Sequence, residues 1–213
     1  MSSEITLHEL PASPNNLKVR MALGFKGIEY TRKPLEMSVP FGDRSEIVGL
    51  SGQPRTPVLQ HGETVIFDSN GIVRYLEANV KRDPSLFTTD YAEFGELEAW
   101  EQFGRGRFGP SIGALFGMAM ADAGTPEAIA QANENFYEVT GELEERLKER
   151  DFLVCGRTTN ADLAVVCLAN LATLSEEAAE GSTLLGFFKE HLHLGARRDR
   201  TRAWIERHVA LDA

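Results

Sequence analysis

The segment RTPVLQHGETVIFDSNGIVRYLE, residues Arg55–Glu77, decides the fold of the first half of the chain. Two short apolar runs, Val58–Gln60 and Thr64–Phe67, flank a glycine-containing stretch, which predicts a β-hairpin with its turn at His61-Gly62. Pro57 directly precedes the first run. Because proline has no N–H to donate to a strand ladder, it is disfavoured inside a strand, but it is tolerated at the first residue. The segment therefore predicts a strand that starts after a proline and is followed by its antiparallel partner.

A helix is predicted directly after this hairpin. It begins with Asp68 and Ser69, and its apolar stripe consists of Ile72, Tyr75 and Leu76. Asp and Ser are ordinary N-cap residues, so a helix cap is the simplest interpretation of this pair. The same position also combines free backbone N–H groups, the positive end of the helix dipole, a hydroxyl and a carboxylate. These groups are suited to a zwitterion, with its α-carboxylate on Ser69 and its α-ammonium against Asp68.

The residues upstream of the hairpin predict a strand, a helix and a second strand. Ile5–Leu10 alternates between apolar and polar side chains, as a strand does. A helix is predicted from about Leu17, and Gly27 ends it. A second strand is predicted over Ile28–Thr31, and the helical crossover implies that the two strands are parallel, as in a βαβ unit. Met37–Leu50 is ambiguous and is interpreted as a short irregular helix.

The second half of the chain predicts helices only. The polar stretch Lys81–Asp90 is typical of an interdomain linker. Thr125–Glu127 combines a hydroxyl N-cap, a proline at the first helical position and an acid in the first turn. Further helices are predicted over Asn160–Leu174, which starts with a capping box at Thr159–Asp162, and over Arg202–Val209. The face predicted to be buried on the helix after Thr125 consists of Ile129, Ala132, Phe136, Val139, Leu143 and Leu147.

The sequence GRGRFG, Gly104–Gly109, matches the glycine pattern of dinucleotide-binding loops letter for letter. It follows a predicted helix, Glu96–Phe103, and not a strand, so it lacks the βαβ context that such a loop requires. No dinucleotide site is therefore predicted. The glycines and Pro110 are instead expected to break a long helix.

Composition limits the classes of function that the chain can have. A formal net charge of −10 over 213 residues disfavours nucleic-acid binding, which requires a basic surface. The two cysteines, Cys155 and Cys167, do not form a C-x-x-C pair and are interpreted as buried structural residues. No basic and apolar leader and no apolar run of about 20 residues is present. A soluble, cytoplasmic protein without a membrane association is expected.

The order βαβ, then X-Pro before a ββ hairpin, then Asp-Ser at a helix start and a helical second half resembles the cytosolic glutathione transferases. The sequence TPVLQHGETVIFDSNGIVRYLE is similar to the glutathione-binding segment of that family. The resemblance implies an α/β thioredoxin-like domain (βαβ-ββα) over residues 1–80, a linker over 81–90 and an all-α domain over 91–213.

The resemblance also implies which residues hold glutathione. The backbone of Thr56, which precedes a cis Pro57, would pair with the cysteinyl unit of glutathione as an added strand would. Asp68 and Ser69 would hold the γ-glutamyl end. The Asn-Pro-x-Gly-Lys that is typical of the family before the cis proline is replaced here by LSGQPR, Leu50–Arg55. Arg55 is expected to take the place of the basic or amide group near the cysteinyl-glycine end.

A second group of candidate residues lies in the loop PASPNN before the first helix. In serine-type members of the family, a serine at the place of Ser13 donates a hydrogen bond to the glutathione sulfur. The sequence Ser-Pro-Asn is also similar to the Thr-Pro-Asn of a bacterial disulfide-reducing subgroup, in which Asn15 would share this role. The alternative is that Ser13 and Asn15 only cap the helix. The loop has no cysteine, so the mixed-disulfide chemistry of cysteine-type relatives is not expected.

The resemblance implies an enzyme that uses glutathione as co-substrate, without a metal, and that transfers its thiolate to a small electrophile. Two alternatives stay open. The first is a glutathione-dependent disulfide-bond reductase or peroxidase of the same fold, because these reactions start from the same thiolate. The second is a non-catalytic interaction module with a vestigial site. The resemblance further implies a homodimer.

Overall fold

The structure is a computed structural model, and it describes residues 4–35 and 42–212. The described residues form two compact units. One consists of the chain up to Leu86 together with Leu211 and Asp212, and the other is Phe87–Ala210. The buried amine of Lys26 donates to the carbonyls of Lys81, Arg82 and Pro84, at 2.8, 3.0 and 3.0 Å, which fastens the start of the predicted linker to the first unit. The domain boundaries at residues 80 and 90 stay a prediction.

The first unit has a four-stranded mixed sheet in the order β2-β1-β3-β4. Its strands are β1 (Ile5–Glu9), β2 (Thr31–Pro34), β3 (Val58–His61) and β4 (Thr64–Phe67). β1 runs parallel to β2 and antiparallel to β3, and β3 and β4 form the antiparallel hairpin. The helices of this unit are α1 (Pro14–Lys26), α2 (Ser45–Ser51) and α3 (Ser69–Asn79). The predicted α/β, thioredoxin-like arrangement βαβ-ββα is confirmed.

In the first unit, the start of α1, the start of β2 and the hairpin turn differ from the prediction. α1 begins at Pro14 and not at Leu17, because proline has the φ angle of a helix and its missing N–H has no partner in the first turn in any case. β2 begins at Thr31 and not at Ile28, because the Ile28 N–H closes the end of α1 by donating to the Leu23 carbonyl at 3.0 Å.

The third difference is the hairpin turn. It consists of Gly62 and Glu63, since His61 still pairs with Thr64, and Gly62 has a φ of 60°. Residues 36–41 lie outside the described part of the chain. The interpretation of Met37–Leu50 as a short helix therefore falls partly outside it, and the described helix is Ser45–Ser51.

The core of the first unit lies between the sheet and the helices α1 and α3. Alternate residues of β1 and β3 face these helices, as the two-residue period of a strand requires. The cluster consists of Ile5, Leu7, Val19, Leu23, Leu59, Ile72 and Leu76. This packing brings the N-terminal ends of both helices to one end of the sheet.

The described residues of the second unit contain helices and no strand, which confirms the all-α prediction. The helices are α4 (Tyr91–Phe103), α5 (Gly109–Ala121), α6 (Pro126–Arg146), α7 (Asn160–Ala169), α8 (Glu176–Ala179), α9 (Thr183–His191) and α10 (Asp199–Val209). The predicted face of α6 is buried at Ala132, Phe136, Val139 and Leu143. α7 is shorter than predicted, because a short 3-10 turn, Asn170–Ala172, follows it. Within residues 4–35 and 42–212, none of the helices has the length and apolar character that a membrane crossing requires.

The sequence GRGRFG does not break the helix, contrary to the prediction. Gly104–Phe108 forms a π-helical segment that joins α4 to α5 without a break. Gly104 has a packing role, since a Cβ atom there would lie 2.9 Å from the carbonyl oxygen of Ala164 in α7. Pro110 is tolerated because the wider π turn changes the hydrogen-bond pattern just before it.

The predicted capping box at the start of α7 is present, with Thr159 and Asp162 bonding to each other's backbone. Asp162 is fully buried and also accepts from the Leu153 N–H at 2.9 Å and from the Trp204 indole at 3.1 Å. These bonds compensate for burying the carboxylate, because each of its partners donates to it. The box therefore fastens α7 to α10 and to the segment before it.

Candidate functional site

The first part of the site is the N-terminus of α1. Ser13 is the N-cap residue, with φ −82° and ψ 128°, and its carbonyl accepts from the N–H groups of Asn16 and Leu17 at 3.0 and 3.1 Å. The Ser13 hydroxyl makes no capping hydrogen bond. Pro14 at the first helical position has no N–H, so it leaves no donor there that needs a partner. The Ser13 carbonyl closes the first turn, and the Ser13 hydroxyl is not used as a cap.

The second part of the site is the N-terminus of α3. The Asp68 side chain accepts from the N–H groups of Asn70 and Gly71 at 2.9 and 3.2 Å, so it caps the helix as predicted. Asp68 has φ 69° and ψ 124°, a conformation that residues other than glycine rarely adopt. Such a conformation costs about 1–3 kcal/mol and is found mainly at functional sites. Ser69 follows it and is buried, with 4% of its surface exposed.

Side chains of α1 bring these two helix ends together. The Ser69 hydroxyl donates to Oδ1 of Asn15 at 3.3 Å. One turn further along α1, the Lys18 amine donates to Oδ1 of Asn70. Two positive helix ends and a buried lysine therefore share one end of the domain, and this combination attracts an anionic group such as a carboxylate or thiolate.

The third part of the site is the segment before β3. The Thr56–Pro57 bond is cis. Nδ2 of Asn16 donates to Oγ1 of Thr56 at 3.2 Å, which joins this segment to the first turn of α1. The backbone of Arg55 is held by the side chain of Gln53, at 2.7 Å to its N–H and 3.0 Å to its carbonyl.

The structure brings most, but not all, of the predicted residues together. Asn15 contacts Ser69 directly, and Asn16 connects the helix that Ser13 caps to Thr56. In the part of the chain that the structure describes, no hydrogen bond or ion pair joins the exposed Arg55 side chain to these residues. Whether the seven candidates form a binding site therefore stays a prediction, and Arg55 has the weakest geometric support.

Sequence reasoning missed three polar residues at this site, Asn16, Lys18 and Asn70. Asn16 and Lys18 are buried, with 0% and 3% of their surface exposed. For Asn16 and Lys18, the signal that would have identified them is Pro14. A helix that starts at Pro14 places both side chains in its first two turns, next to the helix end where the site was predicted.

Both cysteines belong to the second unit. Cys155 donates to the carboxylate of Glu93 at 3.3 Å, and burial together with this neighbour raises the pKa of its thiol to about 11. Cys167 is buried in α7. The Cys155 sulfur is therefore not activated as a thiolate at neutral pH, which agrees with a structural role.

Comparison with known proteins identifies both halves of the chain. Residues 7–84 match the model of the glutathione S-transferase N-terminal domain, and residues 111–193 match that of the glutathione S-transferase C-terminal domain. FtsZ-localized protein A of Caulobacter vibrioides is 30% identical over 176 residues, which cover 77% of this chain and 75% of that protein. Glutathione S-transferase 3 of Zea mays is 23% identical over 163 residues, 74% of this chain and 73% of that protein.

A solved structure shows the same fold over nearly the whole chain. The glutathione transferase URE2P8 of Phanerochaete chrysosporium, solved with oxidized glutathione, has a TM-score of 0.77 at 20% identity. The match covers 98% of this chain and 90% of that one. With a four-stranded mixed sheet, a helical second unit and matches to both domain models, the chain belongs to the glutathione S-transferase family.

Proposed function

We propose that this protein binds glutathione in its N-terminal domain, stabilises the thiolate of glutathione and transfers it to a small electrophilic substrate. One observation carries the proposal: the N-termini of α1 and α3 lie side by side, and the Ser13 hydroxyl at the first of them is not used as a cap. In the proposed mode of binding, Ser13 donates to the sulfur, and the Thr56 backbone pairs with the cysteinyl unit. Asp68 and Ser69 hold the γ-glutamyl end.

The energetics of the proposed thiolate site are sufficient. Lowering the pKa of a thiol by about 2 requires about 2.7 kcal/mol. A hydrogen bond to a charged group contributes roughly 1.5–3 kcal/mol, and a helix N-terminus adds about 0.3–1 kcal/mol. One hydroxyl and one helix end therefore suffice to populate the thiolate near neutral pH.

The first experiment is calorimetric titration of the protein with reduced glutathione, together with retention on immobilised glutathione. We expect saturable one-site binding. If it is observed, turnover with an aryl halide, an organic hydroperoxide and a mixed disulfide identifies the reaction class. Conjugation, peroxide reduction and disulfide reduction all use the same thiolate, so glutathione binding alone does not distinguish them. Turnover with each of the three substrates separates the transferase from the peroxidase and the disulfide reductase.

A non-catalytic interaction module is the second candidate. Its support is the 30% identity to FtsZ-localized protein A, which is named for its localization and not for a reaction. In this chain, moreover, the Ser69 hydroxyl donates to Asn15, and the Asp68 carboxylate caps α3. Absence of glutathione binding in the calorimetric titration would favour this module over the enzyme.

The proposal includes a homodimer in the cytoplasm. Both cysteines are free thiols, which suits a reducing compartment. Family resemblance supports the dimer. Sedimentation at micromolar concentration tests it, and a stable monomer would contradict it.

A further inference from the structure

Asn16 occupies an unusual position for an amide side chain. It is fully buried, with 0% of its surface exposed, in the first turn of α1. Its Nδ2 atom donates to Oγ1 of Thr56 at 3.2 Å. Its Oδ1 atom is buried and has no hydrogen-bond partner within residues 4–35 and 42–212.

Asn16 also contacts Ser13. The Asn16 N–H donates to the Ser13 carbonyl at 3.0 Å, so one residue is bonded to Ser13 through its backbone and to Thr56 through its side chain. In the proposed function, Ser13 donates to the sulfur of the glutathione cysteinyl unit, and the Thr56 backbone pairs with the peptide groups of that same unit. Asn16 therefore joins the two groups that are proposed to hold one residue of the ligand.

Stability alone does not account for this amide. A buried acceptor without a partner lowers stability, and replacing a buried polar group by an apolar one of similar shape is often neutral or stabilising. A leucine at this position would fill a similar volume and would remove the unpaired oxygen. Leucine cannot replace the hydrogen bond that Nδ2 of Asn16 donates to Oγ1 of Thr56.

We propose that Asn16 is a positioning residue of the glutathione site, which sets the distance between the Ser13 hydroxyl and the Thr56 backbone through its bond to Oγ1 of Thr56. This inference rests on the proposed function. It is specific to the cysteinyl unit, because in the described part of the chain no hydrogen bond joins Asn16 to Asp68 or Ser69. A small misplacement of groups that hold a reacting atom is enough to reduce binding and rate.

The test uses the full chain and four variants: Asn16→Leu, Thr56→Val, the matched control Thr56→Ser, and the double variant Asn16→Leu/Thr56→Val. Thr56→Val keeps the β-branched shape and removes the acceptor, whereas Thr56→Ser keeps the acceptor. Calorimetry measures the glutathione dissociation constant, ultraviolet titration measures the pKa of the bound thiol, and urea unfolding measures stability.

We expect Asn16→Leu and Thr56→Val each to weaken glutathione binding by at least about threefold and to raise the pKa of the bound thiol, since one hydrogen bond is lost. Thr56→Ser should lose less affinity than Thr56→Val, because it keeps the oxygen that accepts from Asn16. The double variant should bind glutathione as well as the single variant with the lower affinity, because both changes remove the same hydrogen bond. The urea midpoint of Asn16→Leu should be unchanged or higher.

Additive losses in the double variant, or Asn16→Leu with wild-type affinity and wild-type thiol pKa, would overturn the positioning role and leave the proposed function standing. A loss of stability without a change in affinity would show that Asn16 is only structural. A wild-type protein that does not bind glutathione contradicts the proposed function itself, and the inference is then withdrawn with it.

Discussion

The proposed chemistry depends on the Ser13 hydroxyl, which makes no capping hydrogen bond to α1. If this hydroxyl donates to the glutathione sulfur, Ser13→Ala should raise the kinetic pKa of the bound thiol by roughly 1–2, since each unit of pKa corresponds to about 1.4 kcal/mol. Glutathione affinity should change much less, because the γ-glutamyl and backbone contacts remain. A pH–rate profile with any accepted electrophile measures the effect.

Asn15→Ala is the control for this prediction. Asn15 accepts from Ser69 through Oδ1, which leaves its amide nitrogen as the alternative donor to the sulfur. If Asn15 is the donor, this variant should show the pKa change and Ser13→Ala should not. An unchanged pKa in both variants would mean that the helix end alone stabilises the thiolate, and the assignment of Ser13 and Asn15 as catalytic residues would be wrong.

Asp68 caps α3, has a positive φ angle and carries a negative charge. The effect of the first two on stability can be separated from the effect of the charge on glutathione binding. Asp68→Asn keeps the capping oxygen and a residue type that tolerates positive φ, so stability should be nearly unchanged. If the carboxylate binds the α-ammonium of glutathione, the variant should lose at least about 1.5 kcal/mol of binding free energy. Calorimetry with glutathione measures this loss.

The matched ligand for this experiment is a glutathione analogue without the α-amino group. The wild type and Asp68→Asn should bind this analogue equally, because the partner of the carboxylate is absent. Ser69→Ala should weaken both ligands by a similar factor, since it acts on the α-carboxylate. Equal affinity of the wild type and Asp68→Asn for glutathione itself would remove Asp68 from the site.

At the scale of elements, replacing two helical glycines by alanine should change the stability of the protein in opposite directions. A Cβ atom on Gly71 in α3 would lie 3.9 Å from its nearest neighbour, Cβ of Asp68, which is ordinary contact. Gly71→Ala should therefore stabilise the protein by about 0.5–1 kcal/mol, because alanine favours the helix. Gly104→Ala should destabilise it by roughly 1–3 kcal/mol, because its Cβ would lie 2.9 Å from the Ala164 carbonyl oxygen. Urea midpoints followed by circular dichroism test both.

The contrast between these glycines has a structural reason. The space around Gly71 is open enough for a methyl group, so only helix propensity decides the outcome there. Gly104 lies in the π-helical segment between α4 and α5, where the backbone approaches α7 too closely for a side chain. A stabilised Gly104→Ala variant would contradict the close packing of this segment on α7.

At the scale of the whole molecule, buried histidines make stability depend on pH. His208 in α10 is fully buried, and this burial lowers its pKa below 6.5, although Asp162 opposes the effect. The unfolded chain therefore takes up a proton that the folded chain does not. The contribution to stability is complete above about pH 6.5 and decreases as the pH falls through the lowered pKa, by at most about 1.4 kcal/mol per pH unit.

The measurement is urea unfolding between pH 7.5 and 5.5, followed by tryptophan fluorescence, since both tryptophans lie in the helical unit. His208→Gln should reduce the loss of stability on acidification. The stability of the first unit should still depend on pH in this variant, because burial also lowers the pKa of His8. A wild-type midpoint that rises on acidification would contradict the buried, neutral state of His208.

Much of this molecule was predictable because its signals are local. The signals in question are the alternating residues of β1, the pair Asp68-Ser69 at the start of α3 and the helix start Thr125–Glu127, and each acts through neighbours in sequence. Boundaries were less predictable where two local signals compete. Pro14 started α1 earlier than its apolar residues indicated, and the end of α1 used Ile28 before β2 began.

By itself, the sequence determined the order of elements, the change from a mixed sheet to helices and the residue types at each helix N-terminus. These properties follow from periodicity and capping, which involve residues only a few positions apart. Only the tertiary structure decided that Asn15 contacts Ser69, that Asn16 contacts Thr56 and that Gly104 packs on Ala164. These contacts join residues that are distant in the chain, and packing around a common core, which no local pattern encodes, sets their geometry.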